Sequence, residues 1–173
     1  MSADGRRLAA VMACGPGAAL SHRSAAALWS LRPYAGRPEV SIPAQACRSV
    51  PDVAIHRSRS LAAEDVTTVD GIPCTTVART LLDLAASAGR PELVAAITRA
   101  EELRIYDGAA IEAALERARG KRGARLLREV LADWSDDRRR DQLLTRNGWT
   151  TLRAAYRQLD RDLAQTLRAL LAR

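Results

Sequence analysis

Few residues in this chain have the type and spacing needed for chemistry. There are two histidines, His22 and His56, and three cysteines, Cys14, Cys47 and Cys74. The cysteines show no Cys-x-x-Cys spacing, and with so few histidines a His/Cys zinc site is not expected. Each thiol reads as a small apolar filler, and the odd count suits a reducing cytosol. His22 falls in the first turn of an expected helix, where a protonated imidazole would oppose the helix dipole. It therefore reads as a neutral surface or capping group. A serine nucleophile needs a sharp turn of the Gly-x-Ser-x-Gly kind with a His partner, and the sequence offers none. Gly15-Pro16-Gly17 lacks the pattern that cradles phosphates. Metal-assisted phosphodiester hydrolysis needs about two or three carboxylates converging on Mg²⁺. The C-terminal tail has Asp141, Asp160 and Asp162, none in a Glu-x-Lys-like strand. Val69-Asp70-Gly71 superficially suggests a carboxylate motif, but Asp-Gly between two β-prone runs is turn chemistry. Helix caps and one hairpin turn account for the polar clusters. The expectation is therefore no enzyme, no catalytic residue, no cofactor and no metal.

Charge points elsewhere. The net charge is +7, with 27 basic and 20 acidic residues, and it is unevenly placed. Residues 138–173 carry nine Arg and three Asp, while the preceding residues are close to neutral. A basic block behind a neutral domain is the asymmetry of a phosphate-binding appendage. Arg138, Arg139, Arg140, Arg146 and Arg153 are its candidate nucleic-acid contacts. The preference for arginine over Lys121 also fits a compositional bias, and a charged helix face often does no more than solvate.

The elements that would position these residues read as an α+β fold. A helix over Gly5 to Cys14 is expected to stop at Gly15-Pro16-Gly17. Its six-residue apolar run, Leu8 to Ala13, is shorter than the roughly 7 to 15 of a signal peptide. No run approaches the roughly 18 apolar residues of a membrane span, so a cytoplasmic protein without a membrane partner is expected. Ser21 is placed to cap a helix from His22 to Leu31. Alternation over 39–42 and 53–58, punctuated by Pro38, Pro43 and Pro51, predicts edge-like strands. Val66 to Val69, Asp70-Gly71 and Ile72 to Cys74 predict a hairpin with a type I′ turn. Together these give a small antiparallel sheet over about residues 38–75. From Thr76 the period becomes helical, and helices over 76–134 should cover the sheet. Thr76 would cap Val77 to Ala88, with Arg79 and Asp83 paired four residues apart. Helices after Gly89, after Asp107 and from Ala124 to Trp134 follow. The polar run 135–140 reads as a linker, so the domains are 1–134 and 141–173.

Two segments carry family resemblances. Leu20-Ser21-His22-Arg23-Ser24-Ala25-Ala26, Ile55-His56-Arg57-Ser58, Asp70-Gly71-Ile72-Pro73 and the run from Thr75 to Ala85 resemble the C-terminal domain of AbiEi-like antitoxins of type IV toxin–antitoxin systems. The resemblance spans about residues 18–131 and implies a transcription-regulatory, DNA-associated protein with DNA or a toxin as partner. The segment from Asp141 to Leu171 resembles the end of very-short-patch-repair-like PD-(D/E)XK nuclease domains, through Leu143, Gly148, Trp149, Leu152 and Arg153. Family members place a carboxylate-bearing hairpin before that tail, and 134–140 leaves no room for it. Members also place a winged helix ahead of the region matched here, and the sequence from Met1 departs from that pattern. The resemblances together imply a non-catalytic antitoxin-like or regulatory fragment with a helix–strand–helix tail. The alternative is an inactive or subunit-dependent remnant of a PD-(D/E)XK endonuclease.

Overall fold

The computed structural model describes residues 2–44, 49–120 and 122–146. Among these residues the fold is α+β, a five-stranded mixed sheet with six α-helices. The chain divides into two compact units, Met1–Ala132 and Asp133–Arg173.

Helix α1 (Ala3–Cys14) starts two residues before the expected Gly5, because the Ser2 side chain accepts a hydrogen bond from the Gly5 amide at 3.0 Å. It ends at Gly15, where φ is +83°. Strand β1 (Ala19–Leu20) is two fully buried residues. It is followed by α2 (His22–Leu28), which ends short of the expected Leu31. Strands β2 (Glu39–Pro43), β3 (Ala54–Ser58), β4 (Val66–Val69) and β5 (Ile72–Thr75) complete the sheet, in the order β3-β2-β1-β5-β4.

The sheet is mixed rather than antiparallel. β4 and β5 form the expected hairpin, with Asp70 at φ +49° and Gly71 at φ +77°, as a type I′ turn requires. β1 runs antiparallel to β2 but parallel to β5, and β2 runs parallel to β3. Alternation identifies the buried face of a strand and carries no information on the direction of its neighbour. The Asp70-Gly71 turn specifies one antiparallel pair and leaves the other pairings open.

Helices α3 (Val77–Ser87), α4 (Arg90–Glu102) and α5 (Gly108–Arg117) follow in close sequence. Their caps are those the residues call for. The Thr76 side chain accepts from the Arg79 amide, Gly89 and a first-turn proline open α4, and the Asp107 side chain accepts from the Ala110 amide. One face of the sheet packs on α1 through Ala10, Val11, Cys14, Leu20, Val40, Ile42, Ile72 and Cys74. α3 contacts α2, α4 and α5, and every residue from Val77 to Ala85 is buried. That burial includes Arg79, Thr80 and Asp83, so the helix carries polar groups that must find partners inside the protein.

Helix α6 (Ala124–Arg146) runs through residues 135–140, where a linker was expected. No glycine or proline interrupts this stretch, and Asp136–Arg139 and Asp137–Arg140 pairs at i,i+3 spacing support the helix. The strand and final helix expected for the tail lie outside the described residues.

Gly123 marks the tightest backbone approach. Its φ is +92°, and a Cβ there would sit 2.5 Å from the Ala86 nitrogen and 2.7 Å from the Ala85 carbonyl carbon. Gly71 has a similar φ but nothing within 4 Å of a Cβ position. Gly123→Ala should therefore cost about 2–4 kcal/mol, strain plus overpacking, against about 1–2 kcal/mol for Gly71→Ala. Urea unfolding of the two variants measures the difference, and equal losses would mean the approach at Gly123 relaxes freely.

Candidate functional site

The strand register builds a polar face. Ser41 of β2 lies opposite His56 of β3, and residues two apart along a strand share a face. Val40 and Ile42 turn toward the α1 core. Glu39 and Ser41 therefore project from the other face, with His56 and Ser58 beside them on β3. Glu39 and Ser41 are buried there.

His22 joins this face through an unusual backbone. Its φ is +51°, a left-handed conformation costing a non-glycine residue about 1–2 kcal/mol. The Ser21 side chain makes no capping bond to the helix. Its Oγ lies 2.9 Å from His22 Nδ1 instead. The imidazole stacks on that of His56, with centroids 3.6 Å apart and planes 18° from parallel. His22 is thus buried, not the surface or capping group expected, because the turn at its own Cα redirects the ring inward.

Next to this pair lies a second polar construction centred on Arg79. Its Nε donates to Asp83 Oδ1 at 2.9 Å, the i,i+4 pair expected from the sequence. The same guanidinium donates to Asp65 Oδ2 at 2.9 Å, to the Ser60 carbonyl at 2.8 Å and to Ser58 Oγ at 3.1 Å. Arg79 and Asp65 are each 2 % exposed. Asp65 also accepts from Arg117 of α5 at 2.6 Å and from the Ala62 amide. Burial pushes the Asp65 carboxyl up, but the Arg117 hydrogen bond, the Ala62 amide and the Arg79 charge outweigh it, and the net shift is downward.

A cavity of about 500 Å³ opens between these groups. His22, Ser41 and His56 line one part, and Arg79 and Asp83 another. Arg57, Arg59 and Arg122 stand at its edge as exposed side chains. Its lining holds four arginines and a single carboxylate, Asp83, which is bound to Arg79. The cavity is therefore electropositive, a setting for an anionic ligand.

The arginines expected to contact nucleic acid are placed differently. Arg138 lies over the Trp134 ring at 4.8 Å, Arg139 is 3.6 Å from Asp136 and Arg140 is 3.1 Å from Asp137. Arg146 is exposed at the end of α6, and Arg153 lies outside the described residues. The cavity residues were not singled out together in the sequence. His22 and His56 are 34 positions apart, and only the β2–β3 register and the turn at His22 unite them. Cys14 and Cys74 are buried fillers as expected, with burial pushing the Cys74 thiol up to about 11, and Cys47 lies outside the described residues.

The chain matches no family model and no curated protein.

The Arg79 network makes a pH prediction. A carboxyl whose folded pKa is lowered adds stability that is complete above its unfolded value, about 4, and is lost as pH falls through the folded value. The gap in unfolding free energy between wild type and Asp65→Asn should therefore be widest near neutral pH and shrink below about pH 4. Arg79→Ala, which takes the shared buried cation from Asp65 and Asp83, should cost about 3–5 kcal/mol at pH 7. Urea titrations from pH 7 to pH 3 measure both, and a pH-independent gap for Asp65→Asn would contradict the ion pairing.

Proposed function

We propose that this chain is a non-catalytic, antitoxin-like regulatory module that associates with nucleic acid through phosphate contacts. The observation that carries the reading is the cavity rim, where Arg57, Arg59 and Arg122 stand exposed around a lining whose one carboxylate is already bound to Arg79. Guanidinium groups in that arrangement suit phosphate oxygens, which accept paired, charge-assisted hydrogen bonds. The excess of basic residues in 138–173 supports the same partner from another part of the chain. The resemblance of residues 18–131 to AbiEi-like antitoxins agrees with it and adds a toxin as a second class of partner.

Phosphate contacts position a protein on nucleic acid without reading its sequence. Binding is therefore expected to be weak, largely sequence-independent and sensitive to salt. Each phosphate contact contributes about 0.9 to the log–log salt slope on duplex DNA. Replacing Arg57, Arg59 and Arg122 with Ala should flatten that slope by roughly two to three units. Replacing Arg138, Arg139, Arg140 and Arg146 tests the tail in the same way. Fluorescence anisotropy at several salt concentrations separates the two arginine sets. An unchanged slope in the first variant would remove the cavity from the reading. Cleavage of plasmid DNA by purified protein with Mg²⁺ or Mn²⁺ would replace the reading with that of an active nuclease.

A further inference from the structure

We infer that His22, His56 and Glu39 form a binding site for one divalent transition-metal ion, with Zn²⁺ the fitting occupant. This goes beyond nucleic-acid association and does not depend on it. One donor atom from each of the three residues lies within 4.8 Å of the others. Ligands about 2.0–2.1 Å from a tetrahedral zinc stand roughly 3.4 Å apart. The lone pairs of the stacked rings run side by side in their planes, so closure asks the imidazoles to rotate out of the stack until both face one ion.

Three observations point to a ligand rather than to packing alone. His56 Nε2 is buried and has no hydrogen-bond partner among the described residues. Ser41 Oγ, opposite it in the β2–β3 register and lining the same cavity, is in the same condition. Ring stacking accounts for the faces of the two imidazoles and leaves the His56 nitrogen unsatisfied, at a cost of about 1–3 kcal/mol. His22 is held in a left-handed conformation, the kind of strain that collects at ligand sites.

The surroundings supply what metal ligands need. Nδ1 of His22 lies 2.9 Å from Ser21 Oγ. With Nδ1–H donating to that hydroxyl, Nε2 carries the lone pair for the metal, the usual outer support of a ligating histidine. Glu39 Oε2 accepts the Arg23 amide at 2.7 Å, which fixes the carboxylate, while the Arg23 guanidinium stands 3.7 Å from Oε1. That long contact leaves Oε1 able to turn toward an ion. Two imidazoles and one carboxylate make a three-ligand zinc site with a fourth position open. The fourth position would face the arginine-edged cavity.

The test uses metal-free full-length protein, titrated with Zn²⁺ against a chromophoric chelator, and with Co²⁺ as an optical reporter. Wild type should bind one equivalent. Ligand loss in His56→Ala, or in His22→Asn, which keeps a residue tolerant of the left-handed turn, should weaken binding by more than about a hundredfold. Ser21→Ala, which removes only the outer support, should weaken it by about 10–100-fold. Affinity should fall in acid, where protons compete with the metal for the ligand lone pairs. Circular dichroism checks that each variant is folded. Absence of binding by folded wild type, or undiminished binding by folded His56→Ala, would overturn the site.

Discussion

Packing in this protein turns on the buried Arg79 guanidinium. It lies on α3, a helix buried along nine consecutive residues, and is itself only 2 % exposed. A lone buried cation costs many kcal/mol, so the helix can pack only if carboxylates and carbonyls are brought to it. Asp83 comes from the next turn of the same helix. Asp65, Ser60 and Ser58 come from the end of β3 and the segment leading to β4, which is not regular secondary structure over most of its length. Arg117 then ties α5 to the same carboxylate. One side chain thus sets the position of a loop, a strand end and two helices. That loop forms part of the cavity wall.

The second constraint is the sheet's division of labour. α1 covers one face with Ala10, Val11 and Cys14, which leaves alternate positions of β2 and β3 to carry Glu39, Ser41, His56 and Ser58 to the other. Polar residues on a buried sheet face are costly unless they are paired, and several here are paired locally: Glu39 with the Arg23 amide and Ser58 with Arg79. The functional potential of the fold collects where that pairing is incomplete, beside His56 and Ser41.

Local chemistry was legible in the sequence and long-range geometry was not. The Asp70-Gly71 turn, the Thr76 and Asp107 caps and the Arg79–Asp83 pair each involve residues within four positions, and each is present as read. β1 was not anticipated, because two residues, Ala19 and Leu20, show no alternation. The parallel pairings were hidden for the same reason that His22 and His56 were not seen together, since both follow from which strands become neighbours. The polar run at 135–140 was read as a linker on composition. Its acids and arginines instead sit at helical spacing, and nothing in it stops a helix.

Arginine therefore has opposite meanings at different depths of this protein. At Arg79, low dielectric makes every pairing strong, and two carboxylates and two neutral oxygens consume the charge. At Arg139 and Arg140, pairs exposed to water and screened by salt within about 10 Å contribute only about 0–1 kcal/mol each. Such pairs exchange readily for a phosphate, so an intramolecular partner at the surface does not remove an arginine from binding. At the cavity edge Arg57, Arg59 and Arg122 are exposed beside a lining whose one carboxylate among the described residues, Asp83, is held by Arg79. The buried arginine is spent on architecture, whereas the edge arginines face a concave, electropositive wall that focuses their field. Guanidinium groups gathered on one concave wall reinforce one another's attraction for an anion, next to the two histidines.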